Sequence, residues 1–291
     1  MEEILIFIAC RLDKELLNTI NDAIIKASEP NNLDFVVYNQ DFQEDAWIQS
    51  QFPERVTLIN VEQDKTRELA QIRQHALLYI KPSHKYYLCI DAHTRFDEEW
   101  DTILKQNLNG YGKKCVISAY PKTYKIADGN ETLNKHDTHI VNKIVSDAHC
   151  NYTFRFEAVS SGLNQPYDKS NIAGGFHFTF IDWLINVGYD PYVGWDYHEL
   201  DTSLMSYTFG YDIVNAKNTP VYHLYDHSQR KSLKAPSFSY SINRKQRMIN
   251  KLNNIYLTEL DLKYAFGKQR TVQQWMKDYD FDLLSRINIH T

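Results

Sequence analysis

The chain opens on an apolar run, ILIFIA at residues 4–9. Residues 13–27 then carry Leu16, Leu17, Ile20, Ile24 and Ile25 at helical spacing, and a second apolar run, LDFVVY, follows at 33–38. Short apolar runs bounded by polar residues read as buried strands, and three-and-four spacing reads as helix. Strand, helix and strand in this order predict a βαβ unit, and so a parallel sheet with its ligand-bearing loops at the carboxyl ends of the strands. The pattern continues with a strand at 56–61 (VTLINV), a helix at 67–79 with Leu69, Ile72, Ala76 and Leu77 on one face, and a strand at 86–90 (YYLCI). Beyond it are predicted a helix at 97–108, a strand at 116–120, a polar excursion without apolar periodicity at 123–150, and a helix-like apolar stretch at 178–187. A helix at 199–209 stops at Gly210, with short strands expected at 211–215 and 220–224. A basic amphipathic helix at 241–256 and a helix at 271–279, opened by a Thr271/Gln274 capping box, close the chain. The organisation expected is one α/β domain over residues 1–235, mainly a parallel central sheet flanked by helices, with a helical segment over 236–291 packed on it.

Composition narrows what such a fold can do. The chain has 291 residues, of which 43% are hydrophobic and 24% charged, ample for a large core. A net charge of −5 is no footprint for bulk nucleic-acid binding, although the basic stretches at 229–234 and 244–251 could face a polyanion. Four cysteines without a CxxC spacing, three of them in or beside apolar runs, read as free thiols in a reducing compartment. The acidic start MEEILIFIAC is no signal peptide, and no apolar window reaches membrane-spanning length, so a soluble cytoplasmic protein with no membrane partner is expected. The absence of a glycine-rich phosphate loop argues against a dinucleotide fold or a P-loop.

The chemistry concentrates where YYLCI ends in Asp91-Ala92-His93. Side chains two apart on a strand share a face, so a carboxylate and an imidazole would stand side by side, a pair suited to Mn²⁺ or a similar divalent cation. The plainer alternative is an aspartate opening a loop beside a surface histidine. HLYDH, ending a later strand, offers His223 or His227 as a further ligand, whereas His136, His139 and His149 read as surface decoration. Arg67 and Arg73 lie off the apolar stripe of their helix, where a guanidinium fork suits a diphosphate; a solvated helix face is the alternative. Gly174-Gly175 marks either a sharp turn or a close approach of backbone to a ligand. Glu199 and Asp201 fall in the first turn of a helix, where the dipole alone would favour carboxylates.

Several segments together resemble one family: IFIACRLDKELLNTINDAIIKASEPNNLDFVVYNQ (6–40), TRELAQIR and YYLCIDAHTRF (within 66–96), AGGFHF (173–178), Tyr189-Asp190-Pro191, ELDTSLMSYTFGYDI (199–213), VYHLY (221–225) and FGKQRTVQQWMKDYD (266–280). In this order they resemble the cytoplasmic, Skp1-type hydroxyproline α-N-acetylglucosaminyltransferases, which look related to the polypeptide N-acetylgalactosaminyltransferases through a shared Asp-x-His motif. The resemblance implies a GT-A nucleotide-sugar transferase fold, a UDP-sugar donor, a Mn²⁺-type divalent cation and retention of the α configuration. Carried over by position, it implies Asp91, His93 and His223 as metal ligands. Ala9, Arg11, Gln40, Arg67, Arg73, Gly174, Gly175 and Trp195 would line the donor site, with Trp195 toward the acceptor. Glu199 and Asp201 become the candidate catalytic carboxylates. Glu199 falls where the family carries the second of two adjacent acidic residues, and His198 replaces the first. The expected function is a metal-dependent retaining transfer of a sugar, N-acetylglucosamine by the resemblance, to a hydroxyl on a protein or other macromolecule. Transfer to modified DNA or a surface glycan, and a non-catalytic nucleotide-sugar-binding protein, are the alternatives.

Overall fold

The computed structural model describes residues 2–40, 51–62, 68–135, 139–145, 155–160, 169–194, 197–215, 218–226 and 242–283. The first half alternates strand and helix as the periodicity predicts. Strand β1 (Glu3–Arg11) leads to helix α1 (Leu16–Lys26), β2 (Leu33–Gln40) and β3 (Val56–Val61); helix α2 (Leu69–Gln74) then delivers the chain to β4 (His84–Asp91). The helix predicted at 67–79 is α-helical only to Gln74 and tightens to a 3₁₀ turn over His75–Tyr79. A short β5 (Thr94–Phe96), helix α3 (Trp100–Tyr111) and β6 (Cys115–Ser118) follow.

The stretch predicted as a polar excursion holds three strands, β7 (Lys122–Ala127), β8 (Asn130–Leu133) and β9 (His139–Val145), and β10 (Arg155–Ser160) pairs with β9. Its apolar alternation is sparse because β7 buries few side chains: Tyr124 and Ile126 pack with Leu133, Tyr222 and Leu224 in a small satellite core, while Lys125 points to solvent. The stretch predicted as helix-like at 178–187 divides into strand β11 (Phe176–Phe180) and helix α4 (Ile181–Asn186). β11 alternates apolar and polar residues, but it runs directly into the helix, and His177 and Thr179 are buried like Phe176 and Phe178. The remaining elements are α5 (His198–Thr208), β12 (Asp212–Val214), β13 (Val221–His223), α6 (Ile242–Leu252), α7 (Glu259–Lys263) and α8 (Val272–Asp278). The capping box expected at α8 is present, with Thr271 Oγ1 accepting from Gln274 N–H.

Seven strands form the central sheet in the order β12-β6-β11-β4-β1-β2-β3. Its pairs are parallel except the two made by β11, which runs antiparallel between β4 and β6. Alternate residues of β1 feed the two cores: Leu5 and Phe7 face one with Trp183, Leu204 and Trp275, whereas Ile4, Ile6 and Ile8 face the other with Trp100 and Leu104. A second sheet, β5-β13-β7-β8, sits beyond the carboxyl end of β4, with β13 antiparallel to β5 and His223 opposite Thr94. No helix among the described residues is long and apolar enough to cross a membrane.

Candidate active site

The carboxyl ends of the central strands converge where the notable polar residues lie. Ala9 stands in register with Asp91, and Arg11 with Gln40, so β1, β2 and β4 end together. At Asp91 the chain leaves the central sheet and turns through Ala92-His93 into β5. Thr19 of α1 pins that turn: its hydroxyl accepts Thr94 N–H at 3.0 Å and lies 2.8 Å from Ala92 O. Nothing in the sequence marks Thr19 for this role, because a threonine in a helix interior looks like any other.

Asp91, His93 and His223 come together, their ligand atoms all within 4.8 Å of one another. His223 Nε2 is 3.1 Å from Asp91 Oδ2 and 2.9 Å from His93 Nε2, which is in turn 3.7 Å from Asp91 Oδ2. His93 Nδ1 lies 2.8 Å from Asp13 Oδ2. With the Nδ1 proton donated to Asp13, the Nε2 of His93 presents a lone pair toward Asp91 and His223. Three acceptor atoms facing one another this closely repel unless a proton or a cation lies between them, and two imidazoles with one carboxylate suit a first-row divalent ion. Burial alone would raise the Asp91 carboxyl, but the His223 hydrogen bond and the charges of His93 and Arg73 hold it far below the usual carboxylate range.

Gly175 and Gly174 bring backbone to this cluster. A Cβ on Gly175 would lie 2.9 Å from Asp91 Oδ2 and 3.5 Å from His223 Nε2; one on Gly174 would lie 2.9 Å from Glu199 Oε1 and 3.1 Å from His198 Nε2. Only hydrogen fits in either place. Gly174 donates its N–H to Glu199 Oε1 at 2.6 Å, and its carbonyl accepts from the Arg73 guanidinium. Arg73 is buried, not on a solvated helix face; its side chain runs beneath the site, 6.0 Å from the Tyr189 ring. Burial pushes the Glu199 carboxyl up to about 7 against the opposing Gly174 N–H and Arg73. Burial and Arg73 push His177, behind the site, down to about 3, so it is a neutral imidazole, hydrogen-bonded to Tyr189.

Asp201 lies elsewhere. Two residues along α5 from Glu199, it is turned some 200° about the helix axis and pairs with Lys251 in the interior, Asp190 receiving the same ammonium at 3.2 Å. Burial pushes its carboxyl up and Lys251 opposes. Arg67, Trp195 and His227 fall outside the described residues, as do His136 and His149. Asp13 and Tyr225, whose ring centroid is 4.4 Å from that of His223, are site neighbours that the sequence reading did not single out, while His198, noted there only as a departure from the family, lies against Gly174. The need of a ligating histidine for a carboxylate behind it was the available signal for Asp13, but nothing in the spacing indicated which of many acidic residues would serve.

A family model, Glycosyltransferase (GlcNAc), matches residues 48–284, most of the chain. The chain belongs to this GlcNAc glycosyltransferase family. This glycosyltransferase also resembles solved structures. A crystal structure of GalNAc-T7 with UDP, GalNAc and Mn²⁺ superposes with a TM-score of 0.64 at 15% identity, covering 96% of this chain and 55% of that one. S. aureus TarS, residues 1–349, gives a TM-score of 0.49 at 10% identity, covering 76% of this chain and 60% of the other. The glycosyltransferase thus spans 55% and 60% of the length of the two, and the likeness to GalNAc-T7, at 15% identity, shows the GT-A fold. No curated protein sequence matches it significantly.

Proposed function

We propose that this enzyme transfers N-acetylglucosamine from UDP-N-acetylglucosamine to a hydroxyl of a protein acceptor, with retention of configuration and with a divalent cation, Mn²⁺ or one like it. The observation that carries the reading is the convergence of His93 Nε2, His223 Nε2 and Asp91 Oδ2, with Asp13 behind His93, at the carboxyl edge of a GT-A sheet. The donor preference rests on the family's description and on the early resemblance to hydroxyproline-directed transferases. The GalNAc-T7 structure, determined with UDP and Mn²⁺, is consistent with the donor class and the ion.

Asp91, His93 and His223 would hold the cation, whose Lewis acidity would offset the charge that develops on the leaving diphosphate. The remaining work falls to the chain's own groups. Asp13 keeps the Nδ1 proton on His93 and so fixes the ring. Arg73, ending at Gly174 O, contributes fixed positive charge beneath the diphosphate and holds the Ala173-Gly174-Gly175 backbone flat enough for the donor to lie against it. Ala9, Arg11 and Gln40, at the ends of β1 and β2, line the nucleotide side; the resemblance assigns Arg67 to the donor, and Trp195 is placed toward the acceptor as part of this proposal. Glu199 would accept a hydrogen bond from a sugar hydroxyl and counter positive charge developing at the anomeric carbon; no covalent intermediate is invoked. Asp201 acts through the helix it anchors.

The test is UDP release from a panel of UDP-sugars with and without Mn²⁺, comparing wild type with Asp91→Ala. Metal-dependent release from UDP-N-acetylglucosamine that disappears in Asp91→Ala is the expected result. Equal release by the two proteins would remove Asp91 from the chemistry, and silence across the panel from folded wild type would leave the non-catalytic binding protein as the better account.

A further inference from the structure

Helix α5, which carries His198 and Glu199 to Gly174, is gripped at both ends by residues 242–283. At its carboxyl end Thr208 receives Gly267 N–H on its hydroxyl at 2.9 Å and both Gln269 N–H and Arg270 N–H on its carbonyl, at 3.0 and 3.2 Å. Nearby, Tyr207 donates its hydroxyl to Asp278 at 2.5 Å. At its amino end the grip is ionic. Arg247 and Lys251, one turn apart on α6, reach the same spot. Lys251, only 2% exposed, pairs with Asp201 of α5 and with Asp190 at 3.2 Å; Arg247 meets Asp190 at 2.9 Å and also pairs with Asp261. Asp190 and Asp201 bracket the stretch of chain that leads into α5, so one ammonium ties both ends of that stretch to α6.

Other contacts hold α5 along its length, among them Ser203, whose hydroxyl accepts Ile172 N–H at 2.9 Å, and the ionic grip acts at its amino end. Glu199 Oε1 meets Gly174 N–H at 2.6 Å, and a movement of α5 by an ångström would break that contact. Asp201 is two residues away on the opposite side of the same helical turn, so a pull on Asp201 is transmitted to Glu199 through a single rigid turn. A buried pair of this kind is weak evidence for stability, since apolar residues of like volume often do as well; fixing one arrangement among alternatives is the better-attested use.

We propose that Lys251 is a positioning residue for sugar transfer: by tying Asp201 and Asp190 to α6 it sets the amino end of α5, and with it the placement of Glu199 against Gly174. The segment beyond the nucleotide-binding sheet is therefore part of the catalytic apparatus without touching the donor. This rests on the transferase reading only for its kinetic consequence; the structural claim stands apart from it.

The experiment uses the full chain labelled with ¹⁵N-glycine, whose ten glycines give a spectrum simple enough to read. The Gly174 amide is assigned by its loss in Gly174→Ala. In the metal-free protein, Lys251→Met is expected to move the Gly174 resonance in the direction produced by Glu199→Gln, and Lys251→Arg to restore it. A folded Lys251→Met protein with an unmoved Gly174 resonance overturns the proposal. Should Lys251→Met fail to fold, the double variant Lys251→Met with Asp201→Asn removes the charge left unpaired, and its Gly174 resonance is read in the same way. In the kinetic arm, UDP release from UDP-N-acetylglucosamine with Mn²⁺ should fall about tenfold or more in kcat with KM within about threefold of wild type, and recover in Lys251→Arg. Equal kcat in Lys251→Met and wild type also overturns it. Absence of UDP release from wild type sinks the donor reading instead, and the Gly174 resonance then decides this proposal by itself.

Discussion

Two hydrogens decide whether the site exists. At Gly175 a methyl group would press within 2.9 Å of Asp91 Oδ2, and because the backbone there is held by Asp91 N–H bonding Gly175 O, the carboxylate itself would have to swing aside, away from His93 and His223. Gly175→Ala is therefore expected to fold but to lose Mn²⁺ binding, measured as the disappearance of the heat of Mn²⁺ titration. At Glu199 the relevant quantity is a proton. Its folded-state value of about 7 lies above the ordinary 4.5, so folding favours the protonated carboxyl. That contribution is fully present below about pH 4.5 and is lost as the pH rises through about 7. In metal-free protein the melting temperature of Glu199→Gln, relative to wild type, should accordingly climb between about pH 5 and about pH 8. A flat difference across that window would mean that the carboxyl is not raised. The Asp91-x-His93 pair was legible in the sequence as ligand types at the end of an apolar run, although the turn that follows β4, and not strand alternation, brings the two side chains together. Asp13, 80 residues from His93, was not, since nothing local distinguishes it from a helix-opening aspartate.

Among the elements, the continuous apolar runs of β1, β2 and β4, buried on both faces, were legible. β11 was not, although Phe176-His177-Phe178-Thr179-Phe180 alternates apolar and polar residues, because it runs without a break into the apolar helix that follows. β7 and β8 hide for another reason, having little apolar surface to bury. For Arg73 the spacing leaves a diphosphate contact and a solvated face both open: helical periodicity marks charged positions as outward, and only the tertiary contact with Gly174 O makes an inward arginine tolerable. The FGKQR element gains its meaning from α5. A Cβ on Gly267 would stand 2.5 Å from the Thr208 carbonyl carbon and oxygen, which are backbone and cannot move aside. Gly267→Ala should thus destabilise the protein by about 1–3 kcal/mol, the usual cost of overpacking, read as a lower midpoint in urea. An unchanged midpoint would show that the segment does not dock on Thr208 in solution.

At the scale of the whole molecule, the three presumptive ligands come from separate parts of the chain: the end of β4, the turn into β5 and the end of β13. A cation bound by all three stabilises only the folded arrangement. At about one hundred times its dissociation constant such an ion contributes about 2.7 kcal/mol. Mn²⁺ should therefore raise the melting temperature, EDTA should reverse the rise, and Asp91→Ala should abolish it; an equal rise in Asp91→Ala would locate the ion elsewhere.

The pairing of β13 with β5 sets His223 opposite Thr94, one residue beyond His93. A slip of one position along that ladder would turn His223 to the other face of its strand. Two of the ligands are synthesised within the first hundred residues, but the third arrives only at residue 223 and becomes useful only once β13 has found its correct neighbour. Were an ion bound there, its uptake would be a completion signal: a nascent or misregistered chain presents two of the three ligands, and the third comes only with the strand that joins the small sheet.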